Sequence, residues 1–499
     1  MVQTLNSAIK WWSKSIPDAV AISFEGDAVT YREYDAWSER IAQDLLEGGL
    51  EAGDRVGICA SNSIQYCALI MGIIRAGGIV SPLNMRYTTH ELGEILEDTS
   101  PRWVFADGER RPKLEELPVQ IKDLAEVNAF REGDPVDLDH DIDPDAPVVI
   151  ISTSGSTAKP KGVLFSHRSM INYVSETVLE ENVYLIGDRV IVPAPLSTSA
   201  GFVQLIHYTV LGFTLFFEPA FDPERFLEIL VREKITAFAG APVFFEQVAR
   251  TKGFAEADLS SIRVATCGGA TVTRALQDQW LTKDIVIRQI YGQTECGGNA
   301  TIMPADLARQ YPEKCGRGGI FTELRIVDGN GNRLPAGQEG QIIVRGPGRM
   351  LGYWNNPKAT AETIRDGWIY TGDIGVLDED GLLTFVDRMK DIIISGGLNI
   401  SAAEVERAIS EYPGIDEVVV ISAQDQKFGE TPMAVVHGTS DISVEQLIAH
   451  CNERLADYKV PRYVAVEKDP LPRLATGKLS KPALRVKYKE ASSSLPRVR

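Results

Sequence analysis

The stretch that decides the fold is VVIISTSGSTAKPKG, residues 148–162. Its apolar start predicts a buried strand over 148–152. The ten residues that follow, 153–162, hold four hydroxyl side chains and two lysines. Hydroxyls, positive charge and free backbone N–H groups are what a protein needs to bind a polyphosphate. The segment therefore predicts a strand leading into a phosphate-binding loop that lacks the GxxxxGK[ST] spacing of the P-loop; the alternative is a solvated turn.

On both sides of this loop, short apolar runs alternate with segments of helical period. Residues 55–59 and 78–80 predict strands, and 35–46 predicts a helix. This alternation favours parallel sheets in an α/β fold. Between 323 and 345 the turn signals DGNG and PAG indicate short antiparallel strands or a small barrel.

The composition changes at 387–391, where the segment DRMKD carries four charges between two apolar runs. We interpret this segment as a hinge. Beyond it, the pattern predicts helices over 404–410 and 444–458, and strands over 418–421 and 433–437. These elements are enough for a small α/β domain.

Length and composition exclude several classes of protein. The 499 residues have room for about three domains, or for one large and one small domain. The formal net charge of -18 argues against binding to nucleic acid or to an anionic membrane surface. The six cysteines and six histidines show no zinc-ligand spacing, and no apolar run is long enough to span a membrane. We therefore expect a reduced, cytoplasmic protein.

Three further motifs contain residue types that suit a nucleotide. Gly268, Gly269 and Ala270 form a small-residue turn on which a flat ligand could lie. In YGQTE, residues 291–295, Tyr291 offers a stacking face, Thr294 a hydroxyl and Glu295 a carboxylate for Mg²⁺. In YTGD, residues 370–373, Asp373 follows a strand and a turn and could accept two ribose hydroxyls. Each motif alone is also compatible with an ordinary turn.

The order of the motifs is more specific than any one of them. Seven occur in sequence: TSGSTAKPKG (153–162), GGA (268–270), YGQTE (291–295), YTGD (370–373), DRMKD (387–391), SGGLNI (395–400) and PRLATGK (472–478). The series resembles the acyl-adenylate-forming superfamily of acyl- and aryl-CoA synthetases, luciferases and peptide-synthetase adenylation domains. The resemblance spans about residues 20 to 488.

The resemblance implies an α/β architecture in two parts. A large N-terminal adenylation domain, residues 1–387, would hold two sheets and a small barrel. A smaller C-terminal α/β domain, residues 388–499, would be mobile about a hinge near 387–391, at Lys390. The resemblance also implies ATP, Mg²⁺ and coenzyme A as the cofactor and co-substrates.

The resemblance further implies roles for individual residues. Those that would bind the nucleotide are Thr153, Ser154, Gly155, Ser156, Thr157, Lys161, Gly268, Gly269, Ala270, Tyr291, Asp373 and Arg388. Thr294 would contact the α-phosphate and Glu295 the Mg²⁺, while Gly396 and Gly397 would line the pantetheine tunnel. Lys478 would bridge the acid's carboxylate and the nucleotide, where a cation offsets the repulsion between two anions.

The predicted acyl pocket comprises Ser197, Thr198, Gly201, Phe202, Gly269 and Gly298. Relatives usually carry a bulky pair at the positions of Ser197 and Thr198, so small residues here suggest a wider pocket or an altered gate for the thiol. The stretches 192–217 and 237–245 contain no Lys or Arg to pair with a second carboxylate, and no Asp near Pro195 or Ala237 is placed to receive an α-ammonium. We therefore expect a neutral, largely apolar acid: aromatic, alicyclic or medium-chain.

The leading interpretation is an ATP-dependent carboxylic acid–CoA ligase that forms acyl-AMP and releases AMP and pyrophosphate. An alternative is an adenylate-forming ligase that loads the phosphopantetheine thiol of an acyl carrier protein. Two further alternatives are a luciferase-like oxygenase and a non-catalytic adenylate sensor.

Overall fold

The computed structural model describes residues 4–136, 138, 141–153, 160–180, 184–270, 272–425, 427–438, 442–474 and 477–499. The helices within these residues are α1 Leu5–Ser15, α2 Tyr31–Glu47, α3 Ile64–Arg75, α4 Thr89–Thr99, α5 Arg111–Leu114, α6 His167–Glu180, α7 Ser199–Val210, α8 Pro223–Arg232, α9 Pro242–Ala249, α10 Arg274–Leu281, α11 Ala305–Gln310, α12 Pro357–Thr363, α13 Ala402–Ser410, α14 Val444–Arg454, α15 Lys481–Lys487 and α16 Ala491–Ser494.

The strands are β1 Val20–Phe24, β2 Asp27–Thr30, β3 Arg55–Cys59, β4 Ile79–Pro82, β5 Trp103–Ala106, β6 Ile121–Asp123, β7 Pro147–Thr153, β8 Lys161–Ser166, β9 Arg189–Ile191, β10 Thr214–Phe217, β11 Ala237–Gly240, β12 Val264–Gly268, β13 Ile287–Ile290, β14 Glu323–Val327, β15 Gly340–Arg345, β16 Gly352–Tyr353, β17 Ile364–Arg365, β18 Trp368–Leu377, β19 Leu383–Arg388, β20 Ile393–Ser395, β21 Leu398–Ile400, β22 Glu417–Asp425, β23 Gly429–His437 and β24 Tyr463–Glu467.

The chain divides into two compact units, Met1–Leu324 with Ile343–Tyr370, and Arg325–Ile342 with Thr371–Arg499. The first unit contains two seven-stranded sheets, of order β13-β12-β11-β9-β10-β1-β2 and β16-β8-β7-β4-β3-β5-β6. Most neighbouring strands run parallel, and helices connect many of them. This is the arrangement that the strand–helix alternation predicts.

Local sequence explains where the helices of the first unit begin. Helix α2 starts after Thr30, whose hydroxyl accepts a hydrogen bond from the backbone N–H of Glu33, while the Glu33 carboxylate accepts one from Thr30 N–H. Thr88 and Glu91 form the same capping box at the start of α4. Such reciprocal bonds satisfy N–H groups that the first turn of a helix leaves without partners.

The second unit has its own apolar core. Its five-stranded sheet has the order β21-β20-β23-β22, with β24 paired in parallel with β23. Helices α13 and α14 cover this sheet with Val405, Ile409 and Leu447, which are fully buried. A further sheet has the order β14-β15-β18-β17, and β19 pairs antiparallel with β18.

The predicted fold class, α/β with two large sheets and a smaller C-terminal α/β part, is confirmed. The strand predicted over 55–59 is β3 without a change of bounds. The helix predicted over 444–458 is too long, because the chain turns extended at Leu455 and α14 ends at Arg454. The domain boundary at 387 and 388, and the mobility of the C-terminal part, stay predictions. No helix in the described ranges is long and apolar enough to cross a lipid bilayer.

Candidate active site

The predicted phosphate loop is framed by a β-hairpin of the first unit. Strand β7 ends at Thr153 and β8 begins at Lys161, and the two residues are antiparallel partners. The Thr153 hydroxyl donates a 3.3 Å hydrogen bond to the Lys161 carbonyl oxygen. Thr153 and Lys161 therefore lie side by side at the base of the loop. Ser154, Gly155, Ser156 and Thr157 lie outside the described residues, so their roles stay predictions.

The predicted adenine site lies where two neighbouring parallel strands end. Gly268 is the last residue of β12 and is paired with Ile290, the last residue of β13. Gly269 has a φ of +84°, and both it and Ala270 are exposed, while Tyr291 is buried directly after β13. Because the carboxyl ends of parallel strands meet at one edge, the GGA turn and Tyr291 are neighbours.

The YGQTE motif forms a tight turn that only glycines allow. A Cβ on Gly292 would overlap the carbonyl oxygen of Gly298, and a Cβ on Gly297 would overlap that of Gly348. Gly297 also has a φ of +85°, which side chains rarely adopt. Thr294 and Glu295 lie in the 3₁₀ turn between these glycines. Thr294 is half-buried, and its contact with an α-phosphate stays a prediction.

Tyr353 connects Glu295 to the strand that begins at Lys161. The Tyr353 hydroxyl donates a 2.7 Å hydrogen bond to Glu295 Oε1. Lys161 Nζ lies 5.0 Å from the centre of the Tyr353 ring, which is a cation–π distance. Burial, followed by the charge of Glu295, raises the pKa of the Tyr353 hydroxyl, so it remains a proton donor at neutral pH.

Sequence reasoning missed Tyr353. The residue lies on β16, a strand of two residues that pairs antiparallel with β8, with Tyr353 opposite Val163. No local pattern indicates such a pairing across about 190 residues of sequence.

Glu295 fits the magnesium role by its chemistry. Its Oε1 accepts from Tyr353, whereas Oε2 has no hydrogen-bond partner within the described ranges. Mg²⁺ is commonly bound through one or two carboxylates, substrate phosphates and water. One oriented carboxylate, completed by substrate phosphates and water, is therefore a suitable donor set. The described residues hold no cluster of three His, Cys, Asp or Glu side chains that could bind a metal without a substrate.

In the second unit, Asp373 and Arg388 face each other across an antiparallel strand pair. They are register partners on β18 and β19, and Arg388 Nε lies 3.6 Å from Asp373 Oδ1. Asp373 is buried, whereas Arg388 is about half exposed. The prediction that Asp373 follows a strand is wrong: it lies within β18, because Gly372, with a φ of +72°, bends the strand without ending it.

Lys478 belongs to the same cluster. Loss of water around its ammonium lowers the pKa of Lys478, and the positive charge of Arg388 lowers it further. The Asp373 carboxylate acts in the opposite direction. Part of the side chain is nevertheless exposed. The backbone carbonyl of Lys478 accepts a 2.7 Å hydrogen bond from Leu474 N–H, which closes the turn that carries it. The structure thus brings together three residues that are more than a hundred positions apart at the extremes: Asp373, Arg388 and Lys478.

The predicted hinge lies between two anchored carboxylates. The Asp387 carboxylate accepts 2.9 Å hydrogen bonds from the Ser401 hydroxyl and the Ala403 N–H at the start of α13. Asp391 forms a 2.7 Å ion pair with Arg485. Between them Lys390 is exposed, and the surrounding protein, followed by the Arg388 charge, lowers its pKa. The role of Lys390 as the hinge residue stays a prediction.

The residues predicted to line the acyl pocket have several different environments. Ser197 is buried and its hydroxyl has no partner among the described residues. Thr198 caps α7: its hydroxyl donates to the Pro195 carbonyl and accepts from Gly201 N–H. A Cβ on Gly201 would overlap the Pro195 carbonyl, so this glycine is needed for packing. Phe202 is fully buried in the main apolar core.

Gly298 differs from the core residues because one added carbon would fit beside it without overlap. A Cβ on Gly298 would lie 3.5 Å from Val203 Cγ1 and 3.7 Å from Tyr173 Oη, which is ordinary contact. Gly298 therefore leaves room for about one methyl group between α6 and α7. Gly269 is exposed at the end of β12. The acyl-pocket roles stay predictions.

Gly396 and Gly397, predicted to line the pantetheine tunnel, form the two-residue loop between β20 and β21. Their φ values are +58° and +84°. A two-residue hairpin loop of this kind needs two positive φ angles, so the loop itself requires glycines here. Gly396 N–H donates a 2.8 Å hydrogen bond to the Phe428 carbonyl. The tunnel role stays a prediction.

Comparison with known proteins identifies the family of the chain. The model of the AMP-binding enzyme family matches residues 9–354, and that of the AMP-binding enzyme C-terminal domain matches residues 404–478. The two matches cover every predicted nucleotide motif except those between 370 and 400.

Three curated relatives match nearly the whole chain. Feruloyl-CoA synthase from an Amycolatopsis species is 35% identical over 95% of this chain and 96% of the relative. Long-chain-fatty-acid–CoA ligase FadD13 from Mycobacterium tuberculosis is 32% identical over 94% of each chain. Fatty acid–[acyl-carrier-protein] ligase ScoC from Streptomyces coeruleorubidus is 31% identical over 98% of this chain and 97% of the relative.

A solved structure is similar as well. It is o-succinylbenzoate CoA synthetase (MenE) from Bacillus subtilis in complex with the acyl-adenylate intermediate OSB-AMP, with a TM-score of 0.88 and 28% identity over 96% of this chain and 97% of that one. The expectation of an acyl-adenylate-forming enzyme is confirmed. The chain therefore belongs to the AMP-binding enzyme family and is an acid–thiol ligase of the acyl- and aryl-CoA synthetase type, a class that uses ATP, Mg²⁺ and CoA.

Proposed function

We propose that the protein joins a neutral, largely apolar carboxylic acid to coenzyme A in two steps through an acyl-AMP. In the first step a carboxylate oxygen attacks the α-phosphorus of ATP, and pyrophosphate leaves. In the second step the thiol sulfur of CoA attacks the acyl carbonyl and loses its proton, and AMP leaves. The observation that carries the proposal is the cluster of Asp373, Arg388 and Lys478 in the second unit.

The first step needs a cation because a carboxylate and a triphosphate repel each other. The Asp373 carboxylate would accept hydrogen bonds from the ribose hydroxyls, and Arg388 would donate to them. Because the α-phosphate is attached to that ribose, the Lys478 ammonium in the same cluster would offset charge on the α-phosphate and on the incoming carboxylate. One such contact is worth about 3–4 kcal/mol of transition-state stabilisation, or two to three decades in rate.

Other predicted residues would hold the rest of the nucleotide. Thr153 and Lys161 would bind the β- and γ-phosphates, and Gly268, Gly269 and Ala270 with Tyr291 would hold the adenine. Thr294 would donate to the α-phosphate. Mg²⁺, held by Glu295 and the phosphates, would neutralise charge on the pyrophosphate that leaves.

The second step needs a clear path for the thiol. A lysine placed between the carboxylate and the α-phosphate would obstruct the side from which a thiol attacks. We therefore infer that residues beyond Lys390 move between the two steps, and that Gly396 and Gly397 then serve the pantetheine arm.

Two features support a neutral, apolar acid as the substrate. Helix α7 and the stretch 237–245 carry no Lys or Arg, so a second carboxylate would be buried without a partner. Helix α7 contributes buried apolar residues such as Val203 and Leu205.

Loading of a carrier protein is the second candidate function. It is favoured by the 31% identity to a relative that is named as a fatty acid–[acyl-carrier-protein] ligase. The phosphopantetheine arm of a carrier ends in the same thiol as CoA, so the nucleotide chemistry does not distinguish the two acceptors.

The test is a screen of the purified protein with ATP, Mg²⁺ and a panel of carboxylic acids, with CoA, with a phosphopantetheinylated carrier protein, or with neither. We expect pyrophosphate and AMP to form at equal rates with CoA, together with an acyl-CoA detected by mass spectrometry. Thioester on the carrier and none on CoA would favour the second candidate. Absence of AMP with every acid would contradict both.

A further inference from the structure

Helix α7 carries two buried polar atoms that have no hydrogen-bond partner within the described residues. One is Nε2 of His207, whose side chain belongs to a residue only 7% exposed. The other is Oε1 of Gln204, one turn earlier on the helix. Residues three apart on a helix lie on the same side, so both atoms belong to one face of α7.

His207 lies among aromatic rings. Its ring centre is 5.5 Å from that of Tyr173, 5.3 Å from that of Tyr208 and 6.5 Å from that of Tyr184. Burial lowers the pKa of His207 to about 4, so the imidazole is neutral at physiological pH. A neutral imidazole has one nitrogen that donates and one that accepts a hydrogen bond.

This face of α7 adjoins the predicted acyl pocket. Val203, four residues before His207, and Tyr173, whose ring packs on His207, are the two side chains that a Cβ on Gly298 would touch. Gln204 follows Val203 directly. The two unpartnered atoms therefore lie beside the part of the first unit in which we expect the acyl chain to bind.

A buried polar atom without a partner costs free energy, and proteins rarely retain one without a reason. Two such atoms on one helix face beside a substrate pocket have an evident use, because a ligand that bonds to both removes the cost. The ligand group must be neutral, since no Lys or Arg occurs between 192 and 217. The group must also be able both to donate and to accept a hydrogen bond, because the imidazole can take either tautomer and the amide either orientation. A hydroxyl, which both donates and accepts, meets these conditions.

We propose that Gln204 and His207 bind a hydroxyl group at the end of the substrate acid remote from its carboxylate. This inference rests on the proposed function and refines it. The preferred substrate is a hydroxylated acid that is otherwise apolar, and not a purely hydrocarbon one. A site built to bond a substrate hydroxyl discriminates strongly against the analogue that lacks it, because its own polar groups are then left unpaired.

The experiment compares acids in matched pairs, each with and without one remote hydroxyl: 3-(4-hydroxyphenyl)propanoate with 3-phenylpropanoate, and 8-hydroxyoctanoate with octanoate. The rate of pyrophosphate release with CoA gives kcat/KM for each acid. We expect the wild-type protein to favour the hydroxylated member of at least one pair by about tenfold or more. In Gln204→Leu and in His207→Phe the ratio of the two kcat/KM values should fall toward one.

Two further variants separate recognition from packing. His207→Gln keeps a neutral hydrogen-bonding group and should retain part of the preference. Thr209→Val is the matched control: it lies on the same helix and is buried, but its hydroxyl already donates to the Leu205 carbonyl, so the ratio should not change. The thermal unfolding midpoint of each variant verifies that it is folded.

Equal kcat/KM for both members of both pairs in the wild-type protein would overturn the inference and leave the ligase assignment intact. A preference that persists in Gln204→Leu and in folded His207→Phe would also overturn it. Should no acid yield AMP and pyrophosphate, the proposed function fails and this inference fails with it.

Discussion

The hydroxyl of Tyr353 donates a 2.7 Å hydrogen bond to Oε1 of Glu295, and so fixes the carboxylate that we expect to bind magnesium. The same tyrosine ring lies 5.0 Å from the ammonium of Lys161. One side chain thus contacts both the proposed metal ligand and a proposed phosphate ligand. Groups that orient metal ligands typically change metal affinity by ten- to a hundredfold when they are removed.

Replacement of Tyr353 by Phe should therefore weaken the use of Mg²⁺. The change removes the hydroxyl and keeps the ring beside Lys161. A hydrogen bond to a charged group is worth about 1.5–3 kcal/mol, so we expect the half-saturating Mg²⁺ concentration to rise by about tenfold in ATP–pyrophosphate exchange.

Two comparisons make this test specific to Glu295. In a double-mutant cycle with Glu295→Ala, the effects of the two changes should not add, because either change alone removes the Tyr353–Glu295 hydrogen bond. Tyr311→Phe, which loses a surface hydroxyl bonded to Gln310, should leave the Mg²⁺ dependence unchanged. Additive effects in the cycle would show that Tyr353 acts elsewhere.

Replacement of Lys478 by Ala should abolish acyl-AMP formation and spare the transfer of preformed acyl-AMP to CoA. The two half-reactions are measured separately by pyrophosphate exchange and by AMP release from a synthetic acyl-AMP. Lys489→Ala, which removes an exposed lysine of the same C-terminal segment, is the matched control. Equal loss of both half-reactions in Lys478→Ala would remove the residue from its proposed role.

The lowered pKa of Lys478 gives a further prediction for the pH profile of the first half-reaction. The ammonium must be protonated to offset negative charge, and it loses its proton at a lower pH than an ordinary lysine. The alkaline fall in the rate of acyl-AMP formation should therefore occur below the usual lysine value of 10.5. Lys478→Arg should move or remove this fall, because an arginine keeps its charge at alkaline pH.

Replacement of Asp387 by Ala should loosen the start of α13. Its carboxylate accepts hydrogen bonds from the Ser401 hydroxyl and from Ala403 N–H, and the variant loses both bonds. We expect a loss of about 1–2 kcal/mol in the stability of this helix terminus. Hydrogen exchange of the Ala403 and Glu404 amides measures it, and Asp387→Asn, which keeps an acceptor oxygen, should exchange more slowly than Asp387→Ala. Unchanged exchange in both variants would contradict the capping role.

Acid should destabilise the first unit through the buried His167. Its Nδ1 accepts a 3.1 Å hydrogen bond from Leu5 N–H, and burial lowers its pKa to about 4. Between pH 6.5 and 4 the unfolded chain therefore binds a proton that the folded chain does not, so stability is lost as the pH falls through this range. One proton corresponds to about 1.4 kcal/mol per pH unit.

Replacement of His167 by Gln tests this prediction, since a glutamine oxygen can accept from Leu5 N–H but does not titrate. The test plots the free energy of unfolding in urea against pH from 4 to 6.5. The slope of this plot should be smaller in His167→Gln than in the wild-type protein, by up to about 1.4 kcal/mol per pH unit. An identical slope in the two proteins would show that His167 does not titrate as its burial requires.

The sequence predicted most accurately what is local. Strand β3 was predicted to the residue because its apolar run is bounded by turn residues on both sides. It predicted α14 four residues too long, since periodicity alone does not reveal that Leu455 is extended. At Asp373 the sequence Tyr-Thr-Gly indicated a turn, but the hydrogen bonds to β19 keep the strand continuous.

The relationships across long sequence distances could not be predicted from residue patterns alone. Tyr353 meets Glu295 only because a two-residue strand adds to the edge of β8. In the sequence, Gln204 and His207 are two polar residues within an apolar helix. Only the fold shows that each has a buried polar atom without a partner among the described residues. Side-chain environment, unlike periodicity, depends on every element that packs nearby.

The contact between Gly297 and the Gly348 carbonyl has a consequence for how this protein can evolve. Any side chain at position 297 would collide with a peptide group, and a peptide group cannot move aside like a flexible side chain. A side chain at position 297 therefore requires an earlier mutation that moves the segment around 348. New substrate ranges should therefore arise through side chains of helix α7 other than Gly201, and not through the glycine turn.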